Sequence, residues 1–210
     1  QQGPFTPKPR LDPVDELVMT VLSQHTSDVN TARAFASLKE RFGSWEEAAS
    51  APVRAVEDAI RSGGLAAQKA PRIQAILEEI EAREGNIDLV RLRELSDDEV
   101  EEYLCSLPGV GPKTAACVLV FSLGRDAFPI DTHVHRVTTR LGWVSAAASA
   151  GAAHRTLKGA VPPELRYELH VQLVTHGRTI CRARLPLCSD CVLFDLCPAG
   201  PKLLAEGAAR

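Results

Sequence analysis

A chain of 210 residues with 45% hydrophobic and 24% charged side chains can bury one sizeable core or two small lobes, and it holds no apolar run near membrane-span length. Its formal net charge of -3 excludes a uniformly basic nucleic-acid binder, but residues 78–102 carry eleven acidic and three basic side chains, leaving 21 basic against 16 acidic elsewhere. A local basic face therefore stays open, while the acidic run reads as a solvated helix face. Nothing at the start reads as a signal peptide, and a chain opening on Gln1 rather than Met is expected to have residues before it. With the Ala- and Arg-rich composition, this points to a bacterial cytoplasm.

The periodicity is helical nearly throughout. Asp28 opens a predicted helix to Phe42, stopped by Gly43, and Ser44 with Glu47 forms a capping-box pattern for the next. Val53, Val56 and Ile60 mark one face of a short helix ended by Gly63-Gly64. Ile73, Ile76, Leu77 and Ile80 fall at i, i+3, i+4 and i+7, an amphipathic stripe ending near Gly85. Ser96 with Glu99 is a second capping box, for a helix running to Ser106. The turn Leu107-Pro108-Gly109-Val110-Gly111 follows, and Pro112 suits the first position of a helix, where its missing N–H is no loss. Ala115 and Val118 to Phe121 make that helix apolar on nearly all sides, as expected of one buried at the centre of the fold. Further helices are expected over 132–141, 145–158 and 163–176. No strand, repeat or low-complexity linker is evident. The fold class is all-α.

Six cysteines divide into two groups. Cys105 and Cys117 sit in apolar helical patterns and read as small buried hydrophobes. Cys181, Cys188, Cys191 and Cys197 crowd into seventeen residues as C-x6-C-x2-C-x5-C. Without a secretory signal, such a cluster reads as metal-binding rather than disulfide-bonded. Four thiolates in one loop suit tetrahedral zinc or a [4Fe–4S] cluster. A zinc ribbon usually brings two C-x2-C knuckles and only one is present, which weakens zinc without excluding it.

Two glycines flanking Val110 between helices let the backbone bend and approach a ligand closely. The exposed N–H groups opening the second helix then favour an anion. The segment Leu107-Pro108-Gly109-Val110-Gly111-Pro112-Lys113-Thr114-Ala115 resembles the helix-hairpin-helix of the endonuclease III family of DNA glycosylases. Eighteen residues after Lys113, Asp131 lies in Ile130-Asp131-Thr132-His133-Val134-His135-Arg136-Val137, which is similar to that family's catalytic-aspartate motif. The stretch from His176 to Cys197-Pro198 resembles the family's iron–sulfur loop at the same spacing, and this resemblance decides for a [4Fe–4S] cluster. Its implied role is structural. The match runs from Pro13 to Pro198.

The resemblance implies a two-lobed helix-hairpin-helix DNA glycosylase fold. A helical barrel would span 22–132, and residues 1–21 with 133–210 would form the iron–sulfur cluster lobe, with Lys113 and Asp131 facing each other across the groove. The implied function is base-excision repair: a glycosylase with AP lyase activity that removes oxidised or ring-saturated pyrimidines from duplex DNA and nicks abasic sites. Damaged double-stranded DNA is the expected partner, and a monomer the expected state. A carboxylate at Asp131 would stabilise the positive charge that develops on the sugar. The Lys113 amine would attack the sugar carbon and leave a Schiff base, from which the 3′ phosphate departs by β-elimination. That amine must be neutral, although lysine ordinarily has a pKa of about 10.4, so burial or a neighbouring cation is expected around it. His133 is assigned no catalytic role.

Gly109, Val110, Gly111 and Thr114 are the implied phosphate grip. In Ser23-Gln24-His25-Thr26-Ser27-Asp28 a glutamine typically fills the gap left by the flipped nucleotide. The register here puts His25 at that place with Gln24 beside it, so either can serve. Leu65 is either the family's second wedge between bases or an ordinary core leucine, and Ala66 and Ala67 stand where polar or aromatic residues are often found. Arg178, Arg182 and Arg184 either touch phosphate or offset the cluster's negative charge. Two other readings compete: a monofunctional adenine or mismatch glycosylase, against which Lys113 argues, and a non-catalytic helix-hairpin-helix DNA-binding protein, which would not need Asp131.

Overall fold

The computed structural model describes residues 11–208, and among them there are helices but no strand. They group into two compact units, one ending at Arg125 and the other starting at Asp126.

The first unit opens with α1 (Pro13–Leu22), started by Pro13 at its first position and by Asp12, whose Oδ1 accepts from the Val14 N–H at 2.9 Å. The sequence reading missed this helix and grouped residues 1–21 with the other lobe. Leu17, Val18, Val21 and Leu22 are buried, and α1 packs against α2 (Asp28–Arg41), α5 (Ala66–Glu84) and α7 (Pro112–Cys117) within its own unit. Between these lie α3 (Trp45–Ser50) and α4 (Val53–Ile60), the latter followed by a 3-10 turn, Arg61–Gly63. Only half of the first expected capping box forms. Ser44 accepts from Glu47 N–H, but the Glu47 carboxylate takes the Gly43 N–H at 2.8 Å instead of reaching Ser44.

The stripe Ile73, Ile76, Leu77 and Ile80 lies fully inside on α5, which ends at Gly85 with φ +80°. Helix α6 (Asp97–Cys105) carries the complete Ser96–Glu99 capping box. The apolar run after Pro112 was expected to be one α-helix. It is α-helical only to Cys117 and then π-helical over Val118–Ser122, where Leu123 N–H reaches back five residues to Val118 O at 3.0 Å.

The second unit contains α8 (Thr132–Arg140), α9 (Ala150–Ala160), α10 (Pro163–Thr179) and α11 (Gly200–Ala208) around Phe128, Ile130, Val134, Val137, Leu157 and Leu173. Helix α9 begins five residues later than expected. Ser149, not Ser145, caps it by accepting from Ala152 N–H at 3.2 Å, and residues 145–148 close a turn instead. Helix α11 had no forecast. Among the described residues, no helix is long and apolar enough to cross a membrane.

Candidate active site

The hairpin between α6 and α7 is shaped by its two glycines for different reasons. Gly109 has φ +69°, and a Cβ there would lie 3.0 Å from Cδ and Nε of Arg72. Gly111 has φ -116°, open to any residue, and a Cβ there would meet nothing within 4 Å. Nothing in the folded chain demands a glycine at 111. As the N-cap of α7 it has no side chain to satisfy the first N–H groups of that helix, which suits an outside anion. Val110 and Thr114 are both buried. Thr114 N–H is bonded to Gly111 O at 2.9 Å, so Thr114 is packed inside, with no side chain to offer outward.

Lys113 is the second residue of α7 and is half-buried. Its side chain is hydrogen-bonded to Cys117 one turn on, and its charge acts on Glu16 of α1. Burial pushes the Glu16 carboxyl up to about 7, against the downward pull of the Thr20 hydroxyl and the Lys113 ammonium. Burial likewise raises the Cys117 thiol, with Lys113 opposing. The nearest titratable neighbour of the expected nucleophile was therefore not foreseen. The signal was present: a lone glutamate amid Val14, Leu17, Val18 and Val21, one helical turn before Thr20.

Asp131 is the N-cap of α8. Its Oδ1 accepts from the N–H groups of His133 at 2.9 Å and Val134 at 2.8 Å, which fixes the carboxylate at the positive end of the helix. His133 Nδ1 meets Arg136 Nη2 at 3.1 Å and its ring lies against Gly177, a packing role.

The candidate base-probing residues separate cleanly. Gln24 is half-buried and its Oε1 accepts from Arg72 Nη1 at 3.0 Å, whereas His25 is exposed with φ +54°. Leu65 is 45% exposed, also with a left-handed backbone at φ +52°, so it is no core leucine. Both exposed residues follow carbonyls tied down by a single buried ammonium. Lys69 Nζ, 2% exposed, donates to Leu22 O at 2.7 Å and to Gly63 O at 2.8 Å, and burial lowers its pKa. Lys69 and Arg72 thus connect the loop after α1, the loop before α5 and the hairpin. Neither was singled out in the sequence, although Lys69 lies in register with the buried stripe, four residues before Ile73.

In the second unit, all four candidate cysteines line one cavity of about 380 Å³, walled by apolar residues that include Val137, Ile180, Leu187 and Leu203. Arg140 Nη1 approaches Cys181 Sγ at 3.3 Å, Cys197 Sγ faces Arg140 O at 3.3 Å, and Cys191 Sγ lies 3.6 Å from His176 Nε2. Burial, then the other three thiols, raises Cys188. Among the described residues, no three potential ligands converge tightly enough to hold a single metal ion. Four thiols ringing a cavity fit a polynuclear cluster better than one zinc, whose Zn–S bonds of about 2.3 Å would draw the sulfurs to a point. Arg182 and Arg184 are exposed; Arg182 Nε donates to Thr179 O at 3.0 Å, and Arg178 is exposed near the end of α10.

The model of the HhH-GPD superfamily, base excision DNA repair protein, matches residues 18–163. A protein of Arabidopsis thaliana, provisionally named a DNA glycosylase, is 42% identical over 178 residues, covering 85% of this chain and 58% of that one. The chain therefore spans little more than half of that relative. Endonuclease III of Thermotoga maritima is 37% identical over 186 residues, covering 89% of this chain and 83% of its own length. A solved structure of a trapped endonuclease III–DNA covalent intermediate is similar with a TM-score of 0.80 at 32% identity, covering 93% of this chain and 88% of that one.

Proposed function

The chain belongs to the HhH-GPD superfamily of base excision DNA repair proteins, and from that premise we propose that it is a bifunctional DNA glycosylase and AP lyase. Its substrate is duplex DNA carrying an oxidised or ring-saturated pyrimidine, or an abasic site. One observation carries the reading: Lys113 sits at the start of α7, directly behind a glycine-capped hairpin, with its amine beside the buried Glu16, Thr20 and Cys117. A lysine kept only to neutralise phosphate would need none of those buried partners. The similarity to a covalently trapped endonuclease III–DNA intermediate supports the same view.

In this reading the hairpin N–H groups hold a phosphate and His25 and Leu65 enter the duplex, while Gln24 stays with Arg72. The base leaves as Lys113 Nζ bonds to the sugar C1′, and Asp131 stabilises the positive charge that develops there. Loss of a C2′ proton from the resulting Schiff base then expels the 3′ phosphate. Cys181, Cys188, Cys191 and Cys197 hold a [4Fe–4S] cluster, which supplies cross-linking of the loop. Arg182 and Arg184 are presented from that loop to phosphate, with Arg178 nearby on α10.

The test is a duplex with one thymine glycol, scored separately for released base and for the β-elimination product. Both products are expected. Base release with an intact strand would favour a monofunctional glycosylase, and binding without either product would leave a DNA-binding module.

A further inference from the structure

Inside the first unit, two pairs of residues spaced one helical turn apart meet across the α1–α7 contact: Glu16 with Thr20, and Lys113 with Cys117. Thr20 Oγ1 donates to Glu16 Oε1 at 3.0 Å, and Cys117 is hydrogen-bonded to both Lys113 and Thr20. The other elements against α1 send no further charge to Glu16. Lys39 of α2 pairs with Asp15 at 3.2 Å, Lys69 of α5 is bonded to the carbonyls of Leu22 and Gly63, and the π-helical segment Val118–Ser122 has no titratable side chain.

Glu16 is 7% exposed, and its position is unfavourable for stability. Its carboxyl binds a proton more tightly folded than unfolded, so stability from this group falls as pH rises from 4.5 through about 7. A glutamine or methionine would pack there without that cost.

We propose that Glu16 is a positioning residue for Lys113: its buried carboxylate takes the ammonium proton from Nζ and leaves the amine lone pair free to attack DNA. This rests on Lys113 being the nucleophile. One N–H bond breaks, one O–H bond forms at the carboxylate, and an ion pair becomes a neutral pair, which a pocket closed by DNA favours. The proton returns to the amine when Lys113 is released from the Schiff base. No other reactant is needed. Thr20 holds the carboxylate in place and favours its ionised form.

The experiment is the rate of borohydride trapping on an abasic duplex, followed against pH for the wild type, Glu16→Gln and Thr20→Val. Wild-type trapping should fall about tenfold per pH unit below about pH 7. Glu16→Gln should trap at least about tenfold more slowly near neutrality and recover toward pH 10, as the amine deprotonates unaided. Its affinity for an uncleavable abasic analogue should be unchanged, and above pH 7 it should melt no lower than the wild type. Thr20→Val should move the wild-type midpoint to higher pH. A Glu16→Gln profile that superimposes on the wild type, or is faster at neutrality, overturns the proposal. A wild type that forms no adduct at any pH would instead refute Lys113 as nucleophile, and the role of Glu16 with it.

Discussion

The loops flanking the hairpin and the cysteine loop are held in opposite ways. In the first unit, Lys69 and Arg72 on a single helix fasten three loops by buried or half-buried hydrogen bonds, and His25 and Leu65 project from a scaffold that is already rigid. In the second, the loop after α10 is tied by side chains chiefly at its start, where Arg136 and Arg140 donate to the carbonyls of Cys181, Arg182 and Ala183. Farther along, Val192 is 91% exposed and Leu196 75%, and Cys188 is the buried member of the run. The first region is organised by its own side chains. The second depends on what its four thiols hold.

The largest effect that separates the two is expected from Cys188→Ser. Removing one ligand should abolish the cluster's visible absorbance and destabilise the second unit by more than about 4 kcal/mol. A variant that keeps both its colour and its melting curve would break the comparison. Next comes Lys69→Met, which leaves the carbonyls of Leu22 and Gly63 without their donor. A loss of about 2–4 kcal/mol in denaturant unfolding is expected, at unchanged cluster content.

The smallest and sharpest contrast lies within the hairpin. Gly109→Ala forces a left-handed backbone on alanine and should cost about 1–2 kcal/mol. Gly111→Ala should change stability by less than about 0.5 kcal/mol, because its φ and its surroundings accept a methyl group. It should still weaken DNA binding about tenfold, about 1.4 kcal/mol, if a phosphate occupies that space. Equal stability losses for the two alanines would show that Gly111 serves the fold and not a ligand.

Legibility in the sequence followed the kind of force involved. Repeating local signals were plain: the Ile73–Ile80 stripe, the Ser96–Glu99 box and the Asp131 cap all form where the pattern put them. Signals with a competitor close by were not. Ser145 and Ser149 are both good caps, and only packing selects the second. The π-helical turn after Cys117 has no sequence mark, because it arises from fitting a wholly apolar run into a crowded core. At the site, motif residues such as Lys113 and Asp131 could be named from spacing alone. Glu16, Lys69 and Arg72 could not, since each acts through a partner distant in sequence: Lys69 through Leu22, Arg72 through Gln24, and Glu16 through Lys113. A charge set in an apolar stripe was the available clue for Glu16 and Lys69.

Covalent capture of DNA by Lys113 is the central claim, and borohydride trapping on a duplex with one abasic site tests it most directly. The account predicts a protein–DNA adduct for the wild type and none for Lys113→Ala, with the variant still folded and still binding the duplex. An adduct of undiminished yield in Lys113→Ala would contradict it.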